Sequence, residues 1–278
     1  MMAGGRDDLA GRLEVAVEAA RAAGELLVGY QQRRLTVQTK SSATDTVSEA
    51  DHASEALIMG RLVTAFDDDG LLGEEAQANR HGTSGLRWVV DPLDGTVNYL
   101  HGLPAWCVSI ACEDVARSQS VVAVVHHALQ GETFVAIEGG GARLLGPHDA
   151  ADGGVPLRVS DVATSRALVA TGFGYEADRR SAQDTKLTGL VQQIGDLRRF
   201  GAAALDLTWV AAGRLDGFVE HGLGPWDRAA GTLLVTEAGG AVSRGHHTLA
   251  GQRLEGIFAG SPELVAMMLE HYDRQEPA

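Results

Sequence analysis

The chain is short of positive charge: 23 lysines and arginines face 37 aspartates and glutamates, a formal net charge of −14 over 278 residues. Nucleic-acid backbones require a basic surface, so nonspecific binding to DNA or RNA is not expected, and a phosphate contact calls for a metal cation as intermediary. No apolar run reaches the roughly 18 residues of a membrane span, and the opening MMAGGRDDLAGRLEVAVEAA is charged rather than signal-like. Neither membrane insertion nor export is indicated, and a cytoplasmic location is expected. Cysteine is scarce as well. Cys107 and Cys112 both fall in an apolar, strand-like run, where buried free thiols are expected. The 45% hydrophobic content is ample for a core in one large domain or two layered halves.

What the chain does have is an acidic turn. In WVVDPLDGTVNYLHGLP, residues 88–104, an apolar strand runs into Asp91, Asp94 and Thr96 across Pro92 and Gly95. Carboxylates three apart around such a turn can converge on a hard cation, and the glycine and the following helix start can approach an anion. D-x-x-D-G is also ordinary loop chemistry, and both readings stand at this point. Upstream, LLGEEA delivers Glu74 and Glu75 from an apolar pair, a pattern of a strand end; adjacent acids there are either solvated or metal-bound. Downstream, GLGPWDRAAGTLLVTEAGG places Pro225, Trp226 and Asp227 at a helix start that Gly239 and Gly240 end, and an acid in a first turn also complements the helix dipole without any ligand.

Together GEE, DPLDGTVNY and WDRAAGTLLVTEAGG, in that order, resemble the inositol monophosphatase family of magnesium-dependent, lithium-sensitive phosphatases, over nearly the whole chain. Agreement of three separated motifs is far more specific than any one of them. The resemblance implies an αβαβα sandwich of layered α/β structure, two or three Mg²⁺ ions, a small-molecule phosphate monoester as substrate and a homodimer. It implies that Glu74, Asp91 and the Leu93 carbonyl hold one metal and Asp91, Asp94 and Asp227 another. Glu74 and Thr96 would orient the attacking water, with Asp51 accepting a hydrogen bond from Thr96. Ser48-x-x-Asp51 also matches a capping box, and both readings of Asp51 can hold. Gly95 and Thr96 would contact phosphate, Gly201, Ala202 and Ala203 of GAAALD the substrate side, and Glu220 the hydroxyls of the alcohol. Ala202 stands where family members often carry Ser or Thr. Lys40 sits where the family has a lysine near a mobile metal loop. The all-oxygen donor set favours Mg²⁺ over zinc, and neither cysteine lies in the acidic motifs. Among family substrates a small polyol monophosphate fits best, with histidinol phosphate second.

Helical spacing predicts helices over 7–30 and 48–66, strands near 88–91, 107–112, 121–126 and 133–137, and a helix near 183–195. The Gly/Pro-rich passage 138–160 divides the chain into halves 1–145, with Glu74 and DPLDGT, and 146–278, with Asp227 and the substrate pocket. Beyond it strands and helices alternate, and Ser261–Pro262 opens the last helix.

ALVATGFGYEA carries G-x-G-x-x-A at Gly172, Gly174 and Ala177, a weak dinucleotide fingerprint set against a helix pattern that resumes only later. A noncatalytic interaction protein on the same scaffold would require damage to the acidic set, which is intact. His126 and His127 point to opposite faces of a strand, His246 and His247 occupy a turn, His101 and Trp106 pack or orient the loop, and Arg179 and Arg180 read first as a solvated charged loop and second as an edge of the substrate cleft.

Overall fold

The computed structural model describes residues 4–32, 37–39, 46–75 and 79–275. Lys40 and the side chain of Ser48 lie outside the described residues. Among the described residues the seven α-helices are α1 (Gly4–Gln31), α2 (Glu49–Ala65), α3 (Thr96–Leu100), α4 (Ala177–Val191), α5 (Ala203–Ala211), α6 (Pro225–Glu237) and α7 (Pro262–Asp273). The first strands are β1 (Val37–Thr39), β2 (Thr46–Ser48), β3 (Gly70–Gly73), β4 (Leu86–Asp94), β5 (Cys107–Asp114), β6 (Gln119–His127) and β7 (Glu132–Ile137). They are followed by β8 (Gly141–Leu145), β9 (Val155–Pro156), β10 (Leu168–Thr171), β11 (Asp196–Arg198), β12 (Gly217–His221), β13 (Ala241–Leu249) and β14 (Gln252–Gly260).

A seven-stranded sheet runs β3-β4-β5-β6-β7-β8-β9 and a five-stranded sheet runs β11-β10-β12-β14-β13. Strand β9, from beyond residue 145, completes the larger sheet through β8. Helices α1 and α2 cover its outer face: Leu9, Leu13, Ala16, Val17, Ala20, Ala23 and Leu27 recur every three or four residues and are buried with Val90, Val108 and Val124. Its inner face packs on α5 and α6, which also meet Phe218 and Ile257 of the smaller sheet. Helices α4 and α7 close the far side around Leu187, Leu190, Phe258 and Met268. The layers are therefore α, β, α, β, α, as the motif resemblance implies.

Local signals explain the boundaries. Pro225 and Pro262 sit at the first helical positions of α6 and α7, where a missing N–H costs nothing, and Ser261 Oγ accepts the Leu264 N–H at 3.2 Å. Two expectations shift. Helix α4 begins at Ala177, earlier than its apolar spacing indicates, because its first turn is solvent-facing and polar. His246 and His247 belong to β13 rather than a turn, held by a nine-pair register against β14 that the polar pattern conceals.

Two features of the large sheet aim the acidic residues. Strands β3 and β4 are parallel, with Gly73 beside Val90, so the next residue of each chain, Glu74 and Asp91, emerges at the same end. Residues three apart on a regular strand face opposite sides. Opposite β5, however, Asp91 pairs with Ser109 and Asp94 with Cys107, so β4 carries one extra residue. That bulge turns both aspartates to one side.

Candidate metal and phosphate site

A cavity of about 530 Å³ opens where these strand ends meet α5, α6 and the segment after β10. Glu74, Asp91, Asp94 and Asp227 all line it, together with Leu93, Gly95, Thr96, Gly201, Ala203 and Glu220. Residues separated by more than a hundred positions in sequence thus share one cleft. Two residues assigned to the site by resemblance lie behind it. Ala202 is buried and packs on Gly95, where an added Cβ would come within 3.1 Å of the Ala202 methyl. Asp51 is buried in the first turn of α2.

The three aspartates are each tied to the backbone. Asp91 Oδ1 accepts the Leu93 N–H at 3.0 Å. Asp94 accepts three N–H groups from the amino end of α5: Ala203 at 3.2 Å, Ala204 at 2.8 Å and Leu205 at 3.3 Å. Asp227 Oδ2 accepts the Gly224 N–H at 2.6 Å, so it caps α6 and faces the cavity at once. The helix start in the cavity with orphan amides is therefore α5, and Asp94 already occupies it. The helix after Gly95, α3, spans only Thr96–Leu100, too short for the helix-dipole attraction anticipated there. Gly95 itself is required: its φ is +90°, and a Cβ would lie 2.7 Å from the Ala105 carbonyl.

The Thr96 hydroxyl donates to the Leu93 carbonyl at 3.0 Å. A hydroxyl has one proton, so the anticipated Thr96-to-Asp51 hydrogen bond is not made; residue 96 opens α3 and its side chain folds back onto the bulge.

The charges are unsatisfied as a set. Burial, then the fields of Glu74, Asp94 and Asp227, push Asp91 well above the usual carboxylate range. Burial and the fields of Asp94 and Glu74 do the same to Asp227. Burial raises Asp94 to about 6 against the opposing amides of Leu205 and Ala204. Such a cluster of hard oxygen donors is relieved by a divalent cation of the Mg²⁺ type. Among the described residues no three Asp, Glu, His or Cys side chains close on an ion by themselves. A carboxylate that accepts one amide keeps further lone pairs for a metal, so the donor set fits a hard cation shared with water and substrate oxygens.

Sequence reading missed several residues. Arg199 lines the cavity, and so do Arg179 and Arg180, for which the edge of the substrate cleft stood second to a solvated loop. Burial lifts Glu220 to about 7, while Arg199 and Arg179 pull it down. Asp206 lies buried in α5 with Oδ1 lacking a hydrogen-bond partner; burial, then Asp94 and Glu220, push it well above its ordinary value. An acid one turn into an otherwise apolar helix was the signal available.

The remaining polar residues are structural. Cys107 and Cys112 are buried free thiols, and burial raises both. His126 bonds Thr133 at 3.0 Å beneath α1, whereas His127 bonds the Pro104 carbonyl at 2.9 Å and meets Trp209 of α5, on the other face as expected. Trp106 is buried edge-on to Tyr99. The unit β10-α4-β11 is a parallel crossover with a glycine pair, closer to a dinucleotide site than its sequence indicates. Yet a Cβ at Gly172 would lie 2.1 Å from the Glu220 carboxylate, and one at Gly174 would lie 2.4 Å from Arg179. These glycines make room for side chains, and Glu176 and Asp178 at the start of α4 would repel a pyrophosphate. No described helix is long and apolar enough to cross a membrane.

Comparison with known proteins agrees with this fold. The model of the inositol monophosphatase family matches residues 8–274. Nus factor SuhB of Escherichia coli (strain K12) is 40% identical over 267 residues, covering 92% of this chain and 94% of the relative. The crystal structure of extragenic suppressor protein suhB from Bartonella henselae superposes with a TM-score of 0.83 at 34% identity, covering 95% of this chain and 99% of that one. An inositol monophosphatase from Anabaena (Nostoc) sp. PCC 7120 gives a TM-score of 0.78 at 34% identity, covering 97% and 98%.

Proposed function

The chain belongs to the inositol monophosphatase family, and from that premise we propose that it is a Mg²⁺-dependent phosphatase of the cytoplasm, acting as a homodimer on a small polyol phosphate monoester, with myo-inositol monophosphate the first candidate. The observation that carries this reading is the shared cavity of Glu74, Asp91, Asp94 and Asp227, whose charges raise one another's proton affinity. A phosphate monoester is a dianion that repels an incoming nucleophile. These carboxylates and the Leu93 carbonyl would hold two or three ions, which when bound would supply the neutralising charge and acidify water.

The chain's own groups do the rest. The proton of Thr96 is committed to the Leu93 carbonyl, so its oxygen presents lone pairs and accepts a hydrogen bond from the attacking water. Glu74 accepts the water's other hydrogen and takes that one proton as the new O–P bond forms, fixing the direction of attack, while the ester O–P bond breaks and the leaving oxygen takes up a proton from solvent. Asp94, anchored by the α5 amides, keeps the acidic end rigid while the alcohol leaves. Glu220, its proton affinity raised by burial, exchanges hydrogen bonds with the leaving hydroxyls. Histidinol phosphate is the second substrate to test.

The relatives called Nus factors support a second reading, an interaction role. The intact acidic set favours catalysis. A screen of phosphate monoesters with purified protein and Mg²⁺, with and without Li⁺, decides between them: Mg²⁺-dependent phosphate release that Li⁺ suppresses is expected, and no release from any ester leaves the interaction reading.

A further inference from the structure

The three aspartates of the cavity's acidic pole rest on backbone amides, whereas Glu74 is placed through the residue that follows it. The Glu75 N–H donates to Glu55 Oε1 at 3.1 Å. Glu55 comes from the second turn of α2 and is only 1% exposed. Glycine at 73 is what admits it, since a Cβ there would fall on Glu55 Oε1 and crowd Met59. The Gly73 N–H donates to Asn79 Oδ1 at 2.7 Å, which closes the same loop from its far end.

The adjacent acids therefore part company. Glu74 lines the cavity, while Glu75 turns toward α2 and brings Oε2 to 3.7 Å from His52 Nδ1. The same stretch of α2 also reaches the bulge. Fully buried Ser54 donates its hydroxyl to the Pro92 carbonyl at 2.9 Å, and proline has no N–H with which to anchor that residue otherwise. Thr96 already holds the Leu93 carbonyl, so the carbonyls of both residues between Asp91 and Asp94 are engaged.

On the phosphatase reading above, we propose that Ser54 and Glu55 are positioning residues that together set the separation between the Glu74 loop and the Asp91–Asp94 bulge, and with it the affinity for the cation those groups would share. The ladder of β3 on β4 ends at Gly73 and Val90, one residue short of Glu74 and Asp91. From there α2 takes over. Neighbours on one helix, Ser54 grips the bulge through a donor and Glu55 grips the loop through an acceptor, and neither lines the cavity. A buried carboxylate beside Ile58 and Met59 is an expensive choice for a core-facing position, where an apolar side chain would pack without desolvation cost. What that position requires is the acceptor. A small hard cation demands near-ideal ligand geometry, so groups that orient its ligands without touching it tune its binding.

The test is calorimetric titration of the full-length protein with Mg²⁺, without substrate. Ser54→Ala and Glu55→Met should each weaken Mg²⁺ uptake by about tenfold or more. Glu55→Gln keeps an acceptor for the Glu75 N–H and should restore most of the affinity. In the metal-free protein, hydrogen exchange at the Glu75 amide should quicken in Glu55→Met and hold in Glu55→Gln. Ser54→Ala deletes a single oxygen, so it decides the matter alone if Glu55→Met fails to fold. A role in stability only would lower Tm and leave Mg²⁺ uptake by the folded variants unchanged. Uptake within about twofold of wild type in either folded variant overturns the clamp, as does a wild-type protein that takes up no Mg²⁺. Hydrolysis of p-nitrophenyl phosphate judges the phosphatase reading separately. Mg²⁺ uptake without phosphate release by the wild type sinks that reading while the variants' affinities still decide the clamp, and release with unaltered affinities sinks the clamp alone.

Discussion

Asp94 Oδ2 accepts the backbone N–H of Ala204 at 2.8 Å, so the carboxylate that ends β4 also closes the amino end of α5. One side chain thereby joins the large sheet to the middle helical layer. Asp94→Asn leaves one good acceptor for three amide donors. Phosphate release is expected to fall by about a hundredfold or more, since a charge facing the reacting phosphate is lost. Hydrogen exchange at Ala204 and Leu205 should quicken while the far-ultraviolet spectrum holds. Near-normal turnover refutes the assignment.

Glu220 reaches the cavity through the space left by Gly172. Glu220→Gln should impair hydrolysis of an inositol phosphate more than that of a simple aryl phosphate, which offers no hydroxyls to it. Steady-state kinetics on both substrates checks this, and equal losses remove Glu220 from the recognition of the alcohol.

Acidity should stabilise the metal-free fold. Glu220 has its folded pKa raised from 4.5 to about 7, so between those values the native state holds a proton that the unfolded chain has released. That contribution is full below about pH 4.5 and lost as pH rises through about 7, at most about 3 kcal/mol for this group. Asp91, Asp206 and Asp227 act with the same sign. Thermal melting in a chelator should therefore show Tm falling across this window, with a shallower fall in Glu220→Gln and recovery on adding Mg²⁺. A Tm that rises from pH 5 to pH 7 without metal contradicts the cited shifts.

Asp69 is fully buried and accepts from Arg12 at 3.1 Å, Trp88 at 3.0 Å and Ser84 at 2.6 Å, tying α1 to β4. Asp69→Ala leaves the Arg12 guanidinium over Phe66 with only the exposed Asp8 as an ion-pair partner and takes the acceptor from Trp88, and should cost about 3 kcal/mol. Urea denaturation measures it, and a loss under about 1 kcal/mol would show that Arg12 finds another acceptor.

Two glycines should respond oppositely to alanine. Gly60, exposed in α2 with open space around its missing Cβ, should gain roughly 0.5–1 kcal/mol. Gly172→Ala drives a methyl into the Glu220 carboxylate and should lose about 1–3 kcal/mol as well as affinity for the alcohol. Denaturation curves of the two variants beside the wild type read both signs.

Much of the acidic pole was legible because its residues sit in short motifs: Glu74, Asp91, Asp94 and Asp227 each follow or open a recognisable element. The layered order was legible as well, from apolar periods of two and of about four. The bulge was not, because two residues against one is a property of the pairing of β4 with β5. Nor was the capping of α5, whose donor amides lie 109 to 111 residues from Asp94. The arginines misled for a related reason: a charged run looks the same in sequence whether it faces water or a cavity, and only Gly174 and Gly222, read as clearances, distinguish the two. Asp51 shows the limit of transfer by motif, since the Thr96 proton goes to Leu93 instead.

The parallel pairing of β3 with β4 and the extra residue in β4 fix three of the four acids within a single sheet, whereas the rest of the cavity wall comes from the loop after β10, from Glu220 on β12 and from the turn before α5. On the phosphatase reading proposed above, cutting chemistry and molecular preference are thus written in different stretches of chain. Rewriting residues 172–180 and 199 would retarget the protein to other esters, with the hydrolytic machinery carried over intact.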